Sequence, residues 1–271
     1  MLEGFGAGDA RPIVLIKEMT HVQKRIGLSV TLLALVFIRL TTPAFAQSDN
    51  YKVQVTPYGF ITGVNGTIGE QGRTANVDAS FVDILDHLNM IAMIYADARF
   101  GRWRATLDNL YVDVSNARAT PGPLFSSVRA ATRAWIADPE GGYAVFQREG
   151  KEVDVVAGAR IWSLKNNLTF FRDGLQADFS RGTRSVVDPI VGMHFSSNLP
   201  HNMFVFAKGD VGGFNAGAAL DWQAFGGVGH KFNEHVVASL GYRYLSIQNE
   251  PGNSIYDVHL NGAILGIGFR F

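Results

Sequence analysis

The sequence predicts an all-β fold, an antiparallel transmembrane β-barrel of about ten strands, with eight to twelve as the bounds and one short helix in an outer loop or in the lumen. Three observations carry this prediction. Five separate segments alternate apolar and polar residues with a period of two, which is a strand signature that helical spacing does not fit. Beyond residue 46, no apolar run approaches the roughly 20 residues that a spanning helix needs. Only 18% of the residues are charged, below the roughly one quarter usual in soluble domains, and the apolar residues are spread out rather than pooled.

The first element is an export signal. Lys24 and Arg25 precede an apolar run from Ile26 to Ile38, and Ala44-Phe45-Ala46 then supplies the small-x-small pattern of a cleavage site. Arg39 closes the run too early for a spanning helix. Residues 1–46 are therefore expected to be a signal peptide and 47–271 the barrel domain. Glu3, Asp9 and Glu18 do not suit a basic n-region, which points to Met19 as the true start.

Charge and cysteine content remove several function classes. The 24 Lys and Arg balance 24 Asp and Glu, so no basic field supports a nucleic-acid partner. With no cysteine there is no thiolate metal site, thiol nucleophile or disulfide. No cofactor or metal site is expected, and the sequence specifies no small-molecule ligand.

Strands are expected near 52–65, 89–100, 102–115, 128–147, 152–164, 186–196, 202–213, 216–231, 235–248 and 254–271. Tight links at Gly101, Arg148–Lys151, Ser197–His201 and Phe232–Glu234 fit periplasmic turns, and the longer ones around 66–88, 116–127 and 165–185 then face outward. In the 128–147 segment, Asp138-Pro139-Glu140-Gly141-Gly142 is expected to interrupt the strand as a turn. Pro189 lacks an N–H for the ladder and is expected near a strand rim.

The direction of the two faces separates a membrane barrel from a soluble one. The polar faces are rich in glycine and carry opposite charges two residues apart, such as Asp97 with Arg99 and Lys208 with Asp210, as a narrow self-pairing lumen requires. By parity, Asp97, Arg99, Asp154, Arg160, Asp188, Lys208, Asp210, Asp221 and Arg243 face that lumen, and Met90, Val155, Val191, Trp222 and Tyr242 face outward. Mixed signs in a small barrel read as a paired filler in preference to an ion path.

One stretch is helical in pattern. Ser80 followed by Asp83 suggests an N-cap, and Phe81, Ile84, Leu85 and Leu88 recur at helical spacing opposite Asp83 and Asp86. Such a short helix must pack on something, either as a plug over the barrel mouth or on the rim of an outer loop.

At the C-terminus, Ala263, Leu265, Ile267, Phe269 and Phe271 alternate with Gly262, Gly266, Gly268 and Arg270. Gly266, Phe269 and Phe271 resemble the terminal strand signal by which Gram-negative outer-membrane proteins are recognised for insertion; Ile264 stands where a polar residue is usual. Together with Val187–Gly192, Gly209–Phe214 and Leu240–Leu245, most of residues 51–271 resemble the uncharacterised outer-membrane β-barrel proteins of the OmpA/OmpW-like superfamily. The resemblance implies a bacterial outer-membrane location, with the lipid bilayer, lipopolysaccharide and the barrel-assembly machinery as partners. It implies no settled activity.

Two function classes follow. One is a non-enzymatic barrel with a structural, surface-interaction or minor passive-channel role. The other is a lipid-modifying enzyme, because His194-Phe195-Ser196 resembles the His-x-Ser element of lipid A deacylases, in which histidine activates serine against an acyl ester. Parity puts His194 on the polar face, the short turn at 197–201 lies beside it, and no glutamate follows it before Glu234 to orient the imidazole. The non-catalytic class is therefore preferred.

Overall fold

The computed structural model describes residues 51–70, 73–119, 126–172, 175–216, 218–249 and 255–271. The expected signal peptide and its cleavage site lie outside the described residues. The strands are β1 (Tyr51–Glu70), β2 (Arg73–Ala79), β3 (Leu88–Phe100), β4 (Trp103–Ala119), β5 (Ser127–Arg148), β6 (Lys151–Arg172), β7 (Leu175–Asn198), β8 (Met203–Gly213), β9 (Leu220–Lys231), β10 (Val236–Asn249) and β11 (Ile255–Arg270). A helix, α1 (Phe81–Asp86), stands between β2 and β3.

Neighbours in sequence are neighbours in the sheet from β3 to β11, all antiparallel, and β11 returns to pair with β1. The closing register runs from Gln54↔Arg270 to Gly69↔Ile255. The product is a closed ten-stave antiparallel barrel. Ten staves accommodate eleven strands because β2 and β3 share one edge of β1: β3 pairs with Tyr51–Pro57 and β2 with Val64–Glu70. Helix α1 fills the interval between them. Its Ser80 cap passes close to β1, where a Cβ on Gly63 would sit 3.1 Å from the Ala79 carbonyl oxygen.

Alternation decides what each face meets. On β9, Trp222 is 38% exposed while Asp221 beside it is fully buried; on β7, Met193 is 53% exposed and His194 only 4%. On this part of the staves, large apolar side chains thus cover the outer wall and ionisable ones sit inside, the inverse of a soluble barrel. Phe100, Trp103, Phe232, Phe269 and Phe271 are exposed near the end where Tyr51, Phe271 and the tight turns gather.

Four expectations need correction. Asp138–Gly142 is not a turn: β5 runs unbroken through it, and Asp138 and Glu140 are buried with ion-pair partners inside the barrel, which outweighs local turn chemistry. The segments expected as outer loops contribute strand, since β6 and β7 pair from Lys151↔Ser197 to Arg172↔Leu175 and β1 pairs with β2. Strand β9 begins at Leu220 instead of 216, because Gly213, Phe214 and Asn215 all have positive φ and turn the chain there. Pro189 lies inside β7 opposite Ala159, one residue past the end of the β7–β8 ladder at Ile190↔Gly212.

Candidate functional site

The interior is layered along the barrel axis. Nearest the tight turns, Arg99 on β3 pairs with Asp154 at 2.9 Å and with Glu152 on β6. Arg104 on β4 reaches the same Asp154 at 2.6 Å, and its Nε donates to Asp97 at 2.7 Å. Next, Glu140 on β5 accepts from Lys208 and lies 3.3 Å from His194 Nε2. Lys208 also lies 3.3 Å from Asp210.

The third layer closes the section. Arg160 on β6 is fully buried and donates to three strands: to Asp138 at 3.0–3.2 Å, to Asp210 at 2.7 Å and to Asp221 at 2.7 Å. Gln223 Nε2 bridges Asp138 at 2.9 Å and Asp210 at 2.7 Å, while its Oε1 accepts from Arg243 at 2.6 Å. Arg243 continues to Asp108 at 2.8 Å, which in turn accepts the Tyr58 hydroxyl at 2.6 Å. A guanidinium placed among carboxylates satisfies its fixed fork of donors bidentately, which a lysine at the same point does not do. The chain of contacts from Tyr58 on β1 to Asp210 on β8 crosses the bore instead of following the wall.

Beyond that layer the interior turns apolar. Phe60, Met93, Leu110, Ile136 and Leu245 form a buried cluster, and Arg243 stacks over Phe60 with 5.8 Å to the ring centroid. Further toward the long hairpins is a cavity of about 410 Å³ whose lining includes Phe81 and Ile84 of α1. The helix therefore contributes to an interior wall. It is held at its start by a capping box: the Asp83 N–H donates to Ser80 Oγ at 3.2 Å, and the Ser80 N–H and hydroxyl donate to the Asp83 carboxylate at 3.0 and 2.6 Å.

Eight of the nine charges assigned by parity to the lumen make ion pairs or hydrogen bonds with other interior side chains. Asp188, the ninth, is fully buried and accepts the Ala218 N–H at 2.6 Å. Sequence reasoning missed Arg104, Asp108, Asp138, Glu140, Glu152 and Tyr58. The signal for four of them was present in Arg104-x-Thr106-x-Asp108 and Asp138-x-Glu140, which alternate as the other staves do. The imidazole of His194 does have a glutamate, supplied from β5, two staves away, by Glu140 and not by a later residue in its own strand. At the seam, the Phe271 N–H donates to the Val53 carbonyl at 2.9 Å, and Phe269 pairs with both Val55 and Val236.

No family model matches the sequence, and no curated protein matches it either. Solved structures do resemble it. The outer membrane protease OmpT from Escherichia coli is 9% identical with a TM-score of 0.49, over 83% of this chain and 98% of that one. The translocator domain of the autotransporter NalP from Neisseria meningitidis is 12% identical with a TM-score of 0.42, over 92% and 98%. Neisserial surface protein A is 14% identical with a TM-score of 0.32, over 82% and 97%. These neighbours are outer-membrane β-barrels.

Proposed function

We propose that this chain is an exported bacterial outer-membrane barrel with a closed lumen and a structural or surface-interaction role, without catalysis. The observation that carries the proposal is the fully buried Arg160 joined to Asp138, Asp210 and Asp221 inside a wall whose outer face is apolar. Such an outer face requires lipid, and a backbone can cross lipid as a closed barrel because every N–H and C=O is then paired. Paired charges across the bore leave no continuous aqueous path for ions.

The finer assignments rest on sequence. The OmpA/OmpW-like resemblance, cleavage after Ala46, and the role of Gly266, Phe269 and Phe271 in delivery to the assembly machinery belong to this reading, as do lipopolysaccharide and the bilayer as partners. A lipid A deacylase-like enzyme is the less supported alternative. His194 and Glu140 resemble a base with its orienting carboxylate, but His194 is buried in the bore, where an acyl ester in the outer leaflet does not reach it.

Fractionation of the expressed full-length chain, followed by N-terminal sequencing, tests the proposal. Recovery in the outer membrane with Gln47 at the N-terminus and unchanged lipid A acyl chains is expected. Inner-membrane recovery with Met1 or Met19 retained, or shortened lipid A, overturns it.

A further inference from the structure

The barrel wall reverses its polarity toward the long hairpins. On β4, Leu110, Val112 and Val114 line the cavity while Asp113 points the other way; on β5, Ala134 and Ile136 line it while Arg133 is outside, bonded to Asp113 at 2.7 Å. This is the polarity of a water-soluble barrel, apolar within and charged without, and it stands on the same staves that carry the opposite polarity nearer the turns. A wall with charged residues outside has its outer face in water, so this part projects beyond the bilayer as a cup.

Inside the cup, Thr62 and Thr132 are engaged with protein, while Asp188 Oδ2 and Trp162 Nε1, buried in its wall, have no hydrogen-bond partner among the described residues. The Thr62 hydroxyl donates to the Asn261 carbonyl at 3.0 Å and Thr132 to Asn166 at 2.9 Å. Arg184 and Asp188 also border the space, and the rest of its wall offers an occupant mainly hydrocarbon, from residues such as Phe60, Phe81, Val112 and Trp162. An apolar cavity of about 150 Å³ already binds benzene. The present volume of about 410 Å³ is more than twice that and lies in the range of dedicated ligand pockets. Leu110, Val112 and Val114 are successive inward positions, which makes the cavity about 13 Å long in the strand direction.

We infer that the cup is a binding site for the unbranched hydrocarbon chain of a single ligand, entered from the outer end and closed below by the Arg160–Arg243 layer. The ligand is held, not passed through, because the chain-shaped space ends on the buried Phe60, Leu110 and Ile136 floor above that layer. Helix α1 forms part of the wall through Phe81 and Ile84. The inference goes beyond the structural reading above; it rests on the barrel geometry and not on the absence of catalysis.

Trp162 is the built-in reporter. It lines the cup; Trp135 also borders the cavity but is 38% exposed, and Trp103 and Trp222 are exposed at 64 and 38%. In a variant with those three changed to Phe, refolded in lipid nanodiscs, 1-bromododecane and 12-bromododecanoic acid are titrated and Trp162 emission is followed. Bromine quenches on contact, so saturable loss of at least half the emission is expected. Val112→Phe, and separately Ala134→Leu, fill the space and are expected to abolish that saturable component, with heat-modifiable gel mobility confirming a folded barrel. Quenching by both probes identifies the chain alone as the recognised feature, and quenching by the acid alone identifies a fatty-acid tail. Quenching that never saturates, or is equal in the filled variants, overturns the inference.

Discussion

Replacing Arg160 by Met removes the charge at the centre of the bore while keeping most of the side-chain volume. The consequence differs for each of its three partners. Asp138 keeps the Gln223 amide at 2.9 Å, and Asp210 keeps both Gln223 at 2.7 Å and Lys208 at 3.3 Å. Asp221 has its Oδ1 bonded to Arg160 at 2.7 Å, and its Oδ2 has no hydrogen-bond partner among the described residues. The variant therefore leaves Asp221 as an uncompensated, fully buried carboxylate. Breaking a buried ion pair from one side costs about 3–5 kcal/mol. Adding Asp221→Asn in the Arg160→Met background removes the stranded charge and should restore about 1–3 kcal/mol of that loss. The assay is urea unfolding of barrel refolded into vesicles, comparing midpoints at equal slope. A loss below about 1 kcal/mol in the single variant, or a double variant no more stable than the single, refutes the view that Arg160 is the organising cation of the lumen.

Deleting Phe271 removes the N–H that donates to the Val53 carbonyl and one exposed terminal aromatic, so the protein is expected to stay periplasmic and protease-sensitive, while Arg270→Ala assembles; equal yields of heat-modifiable barrel contradict this. The Ser80 hydroxyl, and then its backbone N–H, hold the Asp83 carboxyl below the ordinary Asp value of about 3.9. A depressed value in the folded chain means the cap contributes stability above that ordinary value and loses it as pH falls through the lower one. Hydrogen-exchange protection across 78–88, corrected for intrinsic rate, should therefore drop between pH 6 and pH 3 in the wild type and change little in Asp83→Asn; equal pH dependence in the two contradicts the capping role.

The fold was legible because the staves obey one local rule. Parity on β3, β6, β7, β9 and β10 separates Asp97, Asp154, Asp188, Asp221 and Arg243 from their apolar neighbours without any knowledge of pairing. Ser80 and Asp83 likewise signal the helix start by their spacing, which the structure has as a capping box. The site was less legible for a different reason. Asp138 and Glu140 sit beside Pro139 and two glycines, whose local preference is for a turn, and strand geometry there comes from partners on β6, β8 and β9 that sequence order does not reveal. The reversal of wall polarity was also hidden, since Leu110-x-Val112-x-Val114 alternates in the same way whether its apolar face points inward or outward. Only the register with Ile136 and Trp162 settles which face lines the bore.

Planar-bilayer recording of the intact, refolded chain tests the closed lumen most directly, because the Arg160, Gln223 and Arg243 contacts span the bore in its third layer. No steady channels are expected in the wild type, and none when residues 78–88 are replaced by a Gly/Ser linker, since α1 borders the cup and not the charged layer. Steady, large-conductance openings from the unmodified protein would contradict it and make the barrel a pore.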